Sequence, residues 1–127
     1  MNKYLNNRHL SFKYAFHGLG YMMRTQPNAR IHLAATVLVI MIAVWLQITT
    51  LDWALLFIAI GLVWLAEGFN TSMESMVDLV TRDFHPLAKI VKDTSAASVL
   101  VASFISLIIG LLILGPPLIQ KITGWFH

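Results

Sequence analysis

The chain has 127 residues, of which 57% are hydrophobic and only 12% charged, with a formal net charge of +3. Soluble domains carry roughly a quarter charged residues, so this composition excludes an ordinary soluble domain, which could not hide so much apolar surface at this length. It also excludes disulfide and thiolate chemistry, because no cysteine is present.

In chain order, residues 1–8 are polar and are expected to fray. The first 30 residues hold five Lys or Arg and no continuous apolar core, which argues against a cleaved signal peptide. From His9 to Met23, Leu10, Tyr14, Leu19, Tyr21 and Met22 alternate with Arg8, Lys13, His17 and Arg24, a pattern for an amphipathic helix lying in the membrane interface. Gln26-Pro27-Asn28 breaks it, since proline restricts the residue before it.

Three stretches then lack Asp, Glu, Lys and Arg: 31–51, 53–66 and 94–120. The first and third reach the roughly 20 residues needed to span a bilayer, and the second does so if its helix runs on through Glu67. The expected spans are 29–47, 52–79 and 89–114, with Thr50 or Asp52 capping the second. The second, at about 1.5 Å per residue, is near 40 Å long and protrudes from the membrane. Residues 80–88 form a loop and 115–127 a tail, all within one integral-membrane domain, 1–127. Ser98, Ala102, Ser106 and Gly110 make a small-residue stripe suited to helix packing. Trp45, Trp53 and Trp125 read as interface anchors, and the deeper Trp64 as packing.

The basic residues set an orientation. Lys3, Arg8, Lys13, Arg24 and Arg30 precede the first span; Arg82, Lys89 and Lys92 lie between the second and third; Lys121 stands alone on the other side. By the positive-inside rule the N-terminus and the 79–93 loop are cytoplasmic and the C-terminus is external. Lys3 and Arg8 are expected to hold the surface helix against anionic lipid. This distribution argues for a membrane surface rather than a nucleic acid as the basic residues' partner.

Glu67, Asn70, Glu74 and Asp78 occupy one row where the second apolar helix runs out. At about 100° per residue they fall within an arc of roughly 80°. A carboxylate at the edge of an apolar span is costly and marks a functional site by default. Glu74 and Asp78 are hard oxygen ligands suited to Mg²⁺, which often takes only one or two carboxylates and leaves phosphate to complete its shell. Lys92 is placed to meet phosphate. Glu67 lies nearest the hydrocarbon, where partial desolvation makes a better general base. A lipid hydroxyl meets Glu67 first, and ATP arriving from the cytosol meets Glu74, Asp78 and Lys92, which is the arrangement phosphoryl transfer requires. Gly18-Leu19-Gly20 is not a phosphate loop, and no Walker motif is present. Taken alone, the row also fits a non-enzymatic subunit with an acidic ion or proton relay, or a polar packing seam.

The stretch Glu67-Gly-Phe-Asn70-Thr71-Ser-Met-Glu74-Ser-Met-Val-Asp78 resembles the signature of the bacterial diacylglycerol kinase / undecaprenol kinase family. Phe12-Lys13-Tyr14-Ala15-Phe16-His17-Gly18-Leu19, Asn28-Ala29-Arg30-Ile31-His32, His85-Pro86-Leu87-Ala88 and Lys92-Asp93 extend the resemblance over residues 11–116. It implies an all-α membrane protein with a surface helix and three transmembrane helices, assembled as a homotrimer with shared active sites in the bacterial cytoplasmic membrane. It implies Glu67 as the base that meets the lipid alcohol, Glu74 as a metal ligand, and Asn70 and Asp78 as residues organising the site. Tyr14, Asp83, Phe84, His85, Lys92 and Asp93 are implied as nucleotide contacts.

One departure concerns the metal. Gln26 stands where the family usually places a second acidic ligand; its amide oxygen can coordinate but adds no charge, and Asp83 is a candidate substitute. Phe69 and Met73 replace aliphatic residues with other apolar ones. Simpler roles also fit Asn70, as an interhelical hydrogen-bonding residue, Asp93, as a helix cap, and His85, as a loop histidine. His9, His32 and His127 carry no expected role. The substrate is diacylglycerol or undecaprenol, and the 28–32 stretch with Pro116-Pro117 resembles the undecaprenol branch more.

Overall fold

The computed structural model describes the backbone of residues 2–124 and the side chains of residues 10–124. The anchoring expected of Trp125 and the lipid contacts expected of Lys3 and Arg8 lie outside the described side chains. Four helices make up the described chain: α1 (Asn2–Thr25), α2 (Pro27–Leu46), α3 (Thr50–Val80) and α4 (Pro86–Thr123). The last three are long and apolar enough to cross a membrane.

The helix boundaries follow from local chemistry. α1 is helical from Asn2, earlier than the sequence pattern suggested; residues 2–8 contain neither Gly nor Pro to stop it. Only Gln26 separates α1 from α2. Its backbone is extended, as the residue before a proline prefers, and Pro27 opens α2 at the position where a missing N–H costs nothing. Arg30 braces this corner: its Nε donates to the carbonyl of Met23 at 2.9 Å and an Nη to that of Arg24 at 2.8 Å.

α2 ends without a glycine. Gln47 takes the left-handed conformation (φ 55°), its N–H bonds the Val44 carbonyl, and the Ile48 N–H reaches back to Ala43. That is the Schellman pattern, completed by Ile48 packing near Ala43. Thr49 then caps α3, accepting from the Asp52 N–H while Asp52 Oδ2 accepts from the Thr49 N–H. The cap is therefore Thr49, not Thr50 or Asp52, with Asp52 as its reciprocal partner.

α4 begins at Pro86, with His85 Nδ1 accepting from the Leu87 N–H at 3.2 Å. It runs through Pro116 and Pro117 to Thr123 rather than stopping near Leu114. Tertiary contacts hold this extension. Leu118 packs on the apolar cluster of Ala43, Leu46, Leu56 and Leu114, and Lys121 Nζ donates to the Trp45 carbonyl at 2.6 Å while lying over its ring. Prolines are tolerated in membrane helices where neighbours compensate the freed backbone groups.

α3 and α4 form the most closely packed pair, antiparallel, with Ala59 and Val63 buried on one and Val99 and Ala102 on the other. Ser106 Oγ donates to the Ala59 carbonyl at 2.8 Å, so part of the small-residue stripe does bring these helices together. Trp64 Nε1 donates to Thr36 Oγ1 at 3.1 Å and ties α3 to α2. Many large side chains such as Ile58, Leu100, Phe104 and Leu112 point outward, as a lipid-facing surface requires.

Candidate active site

The row on α3 descends from dry to wet. Glu67 is fully buried, Asn70 is 4% exposed, Glu74 is half-buried and Asp78 is exposed. Helical spacing alone puts them on one face, and the neighbouring helices decide what each one meets.

At the dry end, both carboxylate oxygens of Glu67 are buried and accept no hydrogen bond. Such a carboxylate is costly to bury without a donor or a partner charge. The nearest cationic candidate is His32 on α2, whose Nε2 lies 3.9 Å from Glu67 Oε2 and likewise lacks a hydrogen-bond partner. His32 had no expected role. The available signal was its position: it is an ionisable residue inside the apolar stretch 31–51, and such residues are functional candidates by default.

One turn further, Asn70 links two helices. Its Nδ2 donates to Glu74 Oε1 at 3.3 Å, and its Oδ1 accepts from Ser95 Oγ on α4 at 2.8 Å. Ser95 is a second residue that the sequence pattern did not single out. The other oxygen of Glu74 accepts from Gln26 Nε2 at 3.2 Å, so the residue at the α1–α2 break meets the middle of the row. At the wet end, Lys92 Nζ donates to Asp78 Oδ1 at 2.6 Å, with both side chains largely solvated.

The remaining expected site residues stand apart from this group. Asp93 lies about two turns inside α4 and pairs with Lys89, so it does not cap the helix. Asp83 exchanges hydrogen bonds with Thr81 through its backbone, while the Gln26 amide bonds to Glu74. His85 caps α4, Phe84 is 81% exposed in the loop, and Tyr14 is exposed on α1. Among the described residues, no three His, Cys, Asp or Glu side chains gather into a metal cluster. The Glu74 carboxylate with the Gln26 amide still fits Mg²⁺, since turning the amide end for end presents its oxygen beside the carboxylate and phosphate oxygens complete such shells.

Known proteins resemble this chain over most of its length. The family described as prokaryotic diacylglycerol kinase matches residues 13–114. The chain is 40% identical to the undecaprenol kinase of Bacillus subtilis over 114 residues, covering 90% of this chain and 93% of that one. It is 42% identical to a diacylglycerol kinase of Synechocystis over 112 residues, covering 87% of this chain and 64% of that longer one. The diacylglycerol kinase of Escherichia coli K12 is 30% identical over 95 residues, covering 75% of this chain and 78% of that one.

An α-helical membrane kinase that acts on lipid is the class these observations define. The chain belongs to the prokaryotic diacylglycerol kinase family. A nucleotide phosphoryl donor follows from kinase chemistry, and a bacterial membrane setting follows from the three apolar helices together with the bacterial relatives. The non-enzymatic relay reading of the row is thereby set aside.

Proposed function

We propose that this protein transfers the γ-phosphoryl group of ATP to the hydroxyl of a membrane lipid alcohol at the cytoplasmic face of a bacterial membrane. The observation that carries the reading is the fully buried Glu67 carboxylate, without a hydrogen-bond donor, at the dry end of a row whose wet end is charged and solvated. A lipid hydroxyl is the donor such oxygens take, and phosphates reach the other end from water.

In the proposed step, the Glu67 carboxylate accepts the hydroxyl proton as the hydroxyl oxygen forms a bond to the γ-phosphorus. The bond from that phosphorus to the β,γ-bridging oxygen breaks, and ADP leaves with its electron pair. Glu74 and Gln26 hold the magnesium that accompanies the nucleotide, which supplies charge neutralisation on the phosphates. Asn70 holds Glu74 and is itself held by Ser95, fixing the row to α4. Lys92 exchanges its contact with Asp78 for one with phosphate, and Asp93, Asp83, Phe84, His85 and Tyr14 form the nucleotide side of the site.

In this reading α1 lies along the membrane surface with the N-terminus cytoplasmic and the C-terminus external. Three copies enclose the polar row, since one chain leaves Glu74 and Asp78 open on their outer side. Of the two acceptors, a polyprenol is favoured, because the undecaprenol kinase relative aligns over nearly its whole length.

The test is purified protein in mixed lipid with labelled ATP and Mg²⁺, supplied in parallel with diacylglycerol and with a polyprenol. Lipid phosphate must form with wild type and fail to form with Glu67→Gln. No labelled lipid from either alcohol would end the reading; label on diacylglycerol alone would reverse the substrate preference.

A further inference from the structure

The reaction just described leaves His32 unused, although it faces the proposed base. Its Nε2 and Glu67 Oε2 are 3.9 Å apart, both buried and both without a hydrogen-bond partner. That separation is too long for a direct hydrogen bond. It suits a shared third atom: an oxygen about 2.8 Å from each lies at ordinary hydrogen-bond distance from both.

A hydroxyl has one proton to give and two lone pairs. We propose that His32 is the second half of a hydroxyl-recognition site. Resting on Glu67 as the base, the inference assigns His32 Nε2–H to donate to the lipid hydroxyl oxygen while the O–H donates to Glu67 Oε2. The oxygen keeps one lone pair for the γ-phosphorus. His32 gives up no proton during transfer; it fixes the direction from which the oxygen attacks.

The surroundings fit this role. The His32 carbonyl accepts from Thr36 Oγ1 at 2.7 Å, and Thr36 Oγ1 in turn accepts from Trp64 Nε1 at 3.1 Å, so the turn bearing His32 is tied to the helix bearing Glu67. His32 also lines a largely apolar groove of about 390 Å³ between α2, α3 and α4, with Val39, Val63, Ser103 and Leu107 along its walls. A lipid chain lying there ends at the imidazole. The ring turns on its Cβ–Cγ bond toward the groove it already lines, admitting the hydroxyl between itself and Glu67.

The site separates alcohols from lipids without a hydroxyl. An ester oxygen can accept from His32 but offers nothing to Glu67, leaving a buried carboxylate unpaired.

The test compares His32→Leu, which removes the donor, with His32→Gln, which keeps an N–H at similar reach. With a polyprenol and with diacylglycerol, His32→Leu is expected to lower kcat/KM for lipid roughly 10- to 100-fold, with the KM for ATP unchanged, and His32→Gln to recover most of that loss. A second readout uses wild type: the ¹⁵N resonance of His32 Nε2 shifts when the lipid alcohol is added and stays put with the deoxy hydrocarbon. A folded His32→Leu with normal lipid kinetics overturns the inference, as do equal defects in both variants or identical ¹⁵N responses to the two lipids. If His32→Leu does not fold, the ¹⁵N comparison decides. A wild type inactive on every lipid alcohol removes the kinase reading along with this one, whereas an active wild type indifferent to His32 removes this one alone.

Discussion

Gln26 and Glu74, 48 positions apart, meet through a 3.2 Å hydrogen bond from the amide nitrogen to a carboxylate oxygen. The contact joins the break between α1 and α2 to the middle of the polar row. It places an uncharged side chain where a second carboxylate would raise the affinity for a divalent cation.

Gln26→Glu therefore sets two carboxylates face to face. Without metal they repel, and the melting temperature falls; with Mg²⁺ they share the cation. The Mg²⁺ concentration for half-maximal activity is expected to drop several-fold. A magnesium titration of activity, paired with melting curves with and without Mg²⁺, checks both halves. An unchanged requirement would remove Gln26 from the metal.

Glu67→Gln keeps the shape of the buried side chain and removes its basicity. Turnover is expected to fall by about 10²–10⁴, the usual contribution of general base catalysis. Nucleotide binding, measured by calorimetry, stays intact because Glu74 and Gln26 are untouched. Stability does not fall, since an amide costs less to bury than an unpaired carboxylate. Loss of nucleotide binding in this variant would place Glu67 on the wrong substrate.

Lys92→Ala separates a phosphate contact from a structural ion pair. The Lys92–Asp78 pair is solvated, and exposed pairs contribute only about 0–1 kcal/mol. Its loss should leave thermal stability almost unchanged while raising the KM for ATP about tenfold, the scale of a charge-assisted hydrogen bond. Steady-state kinetics at varied ATP decide the point, and an unaltered KM would return Lys92 to the role of a surface partner for Asp78.

Thr49→Ala acts at the far end of α3. It removes the side-chain half of the capping box with Asp52 and is expected to cost about 1 kcal/mol of stability. The kcat should be unaffected, because at about 1.5 Å per residue the cap sits roughly 27 Å along the helix from Glu67. Denaturation in detergent alongside the lipid assay tests both statements.

The three spans were legible because charge-free stretches of the right length have few other uses. The row was legible too, since spacing on one helix fixes a face without knowledge of any partner. What each row member touches was not, because that depends on which helices lie beside α3. Ser95 on Asn70 and His32 against Glu67 are contacts between segments far apart in the chain. The continuation of α4 past Pro116 and Pro117 was missed for a related reason: Leu118 and Lys121 are held by α2, and tertiary contact overrides a local breaking signal. Asp93 does not cap α4, because the helix already opens at Pro86 and His85 is its cap.

The guanidinium of Arg30 occupies the carbonyls that end α1. Those oxygens are the negative pole of the helix, and a cation fixed in the first turns of α2 satisfies them. The elbow at Gln26 is consequently a rigid joint rather than a slack tether. The direction of α1, and with it the position of Tyr14, is therefore set by α2: a change in the tilt of α2 would swing that aromatic and pull on the Gln26–Glu74 contact at once.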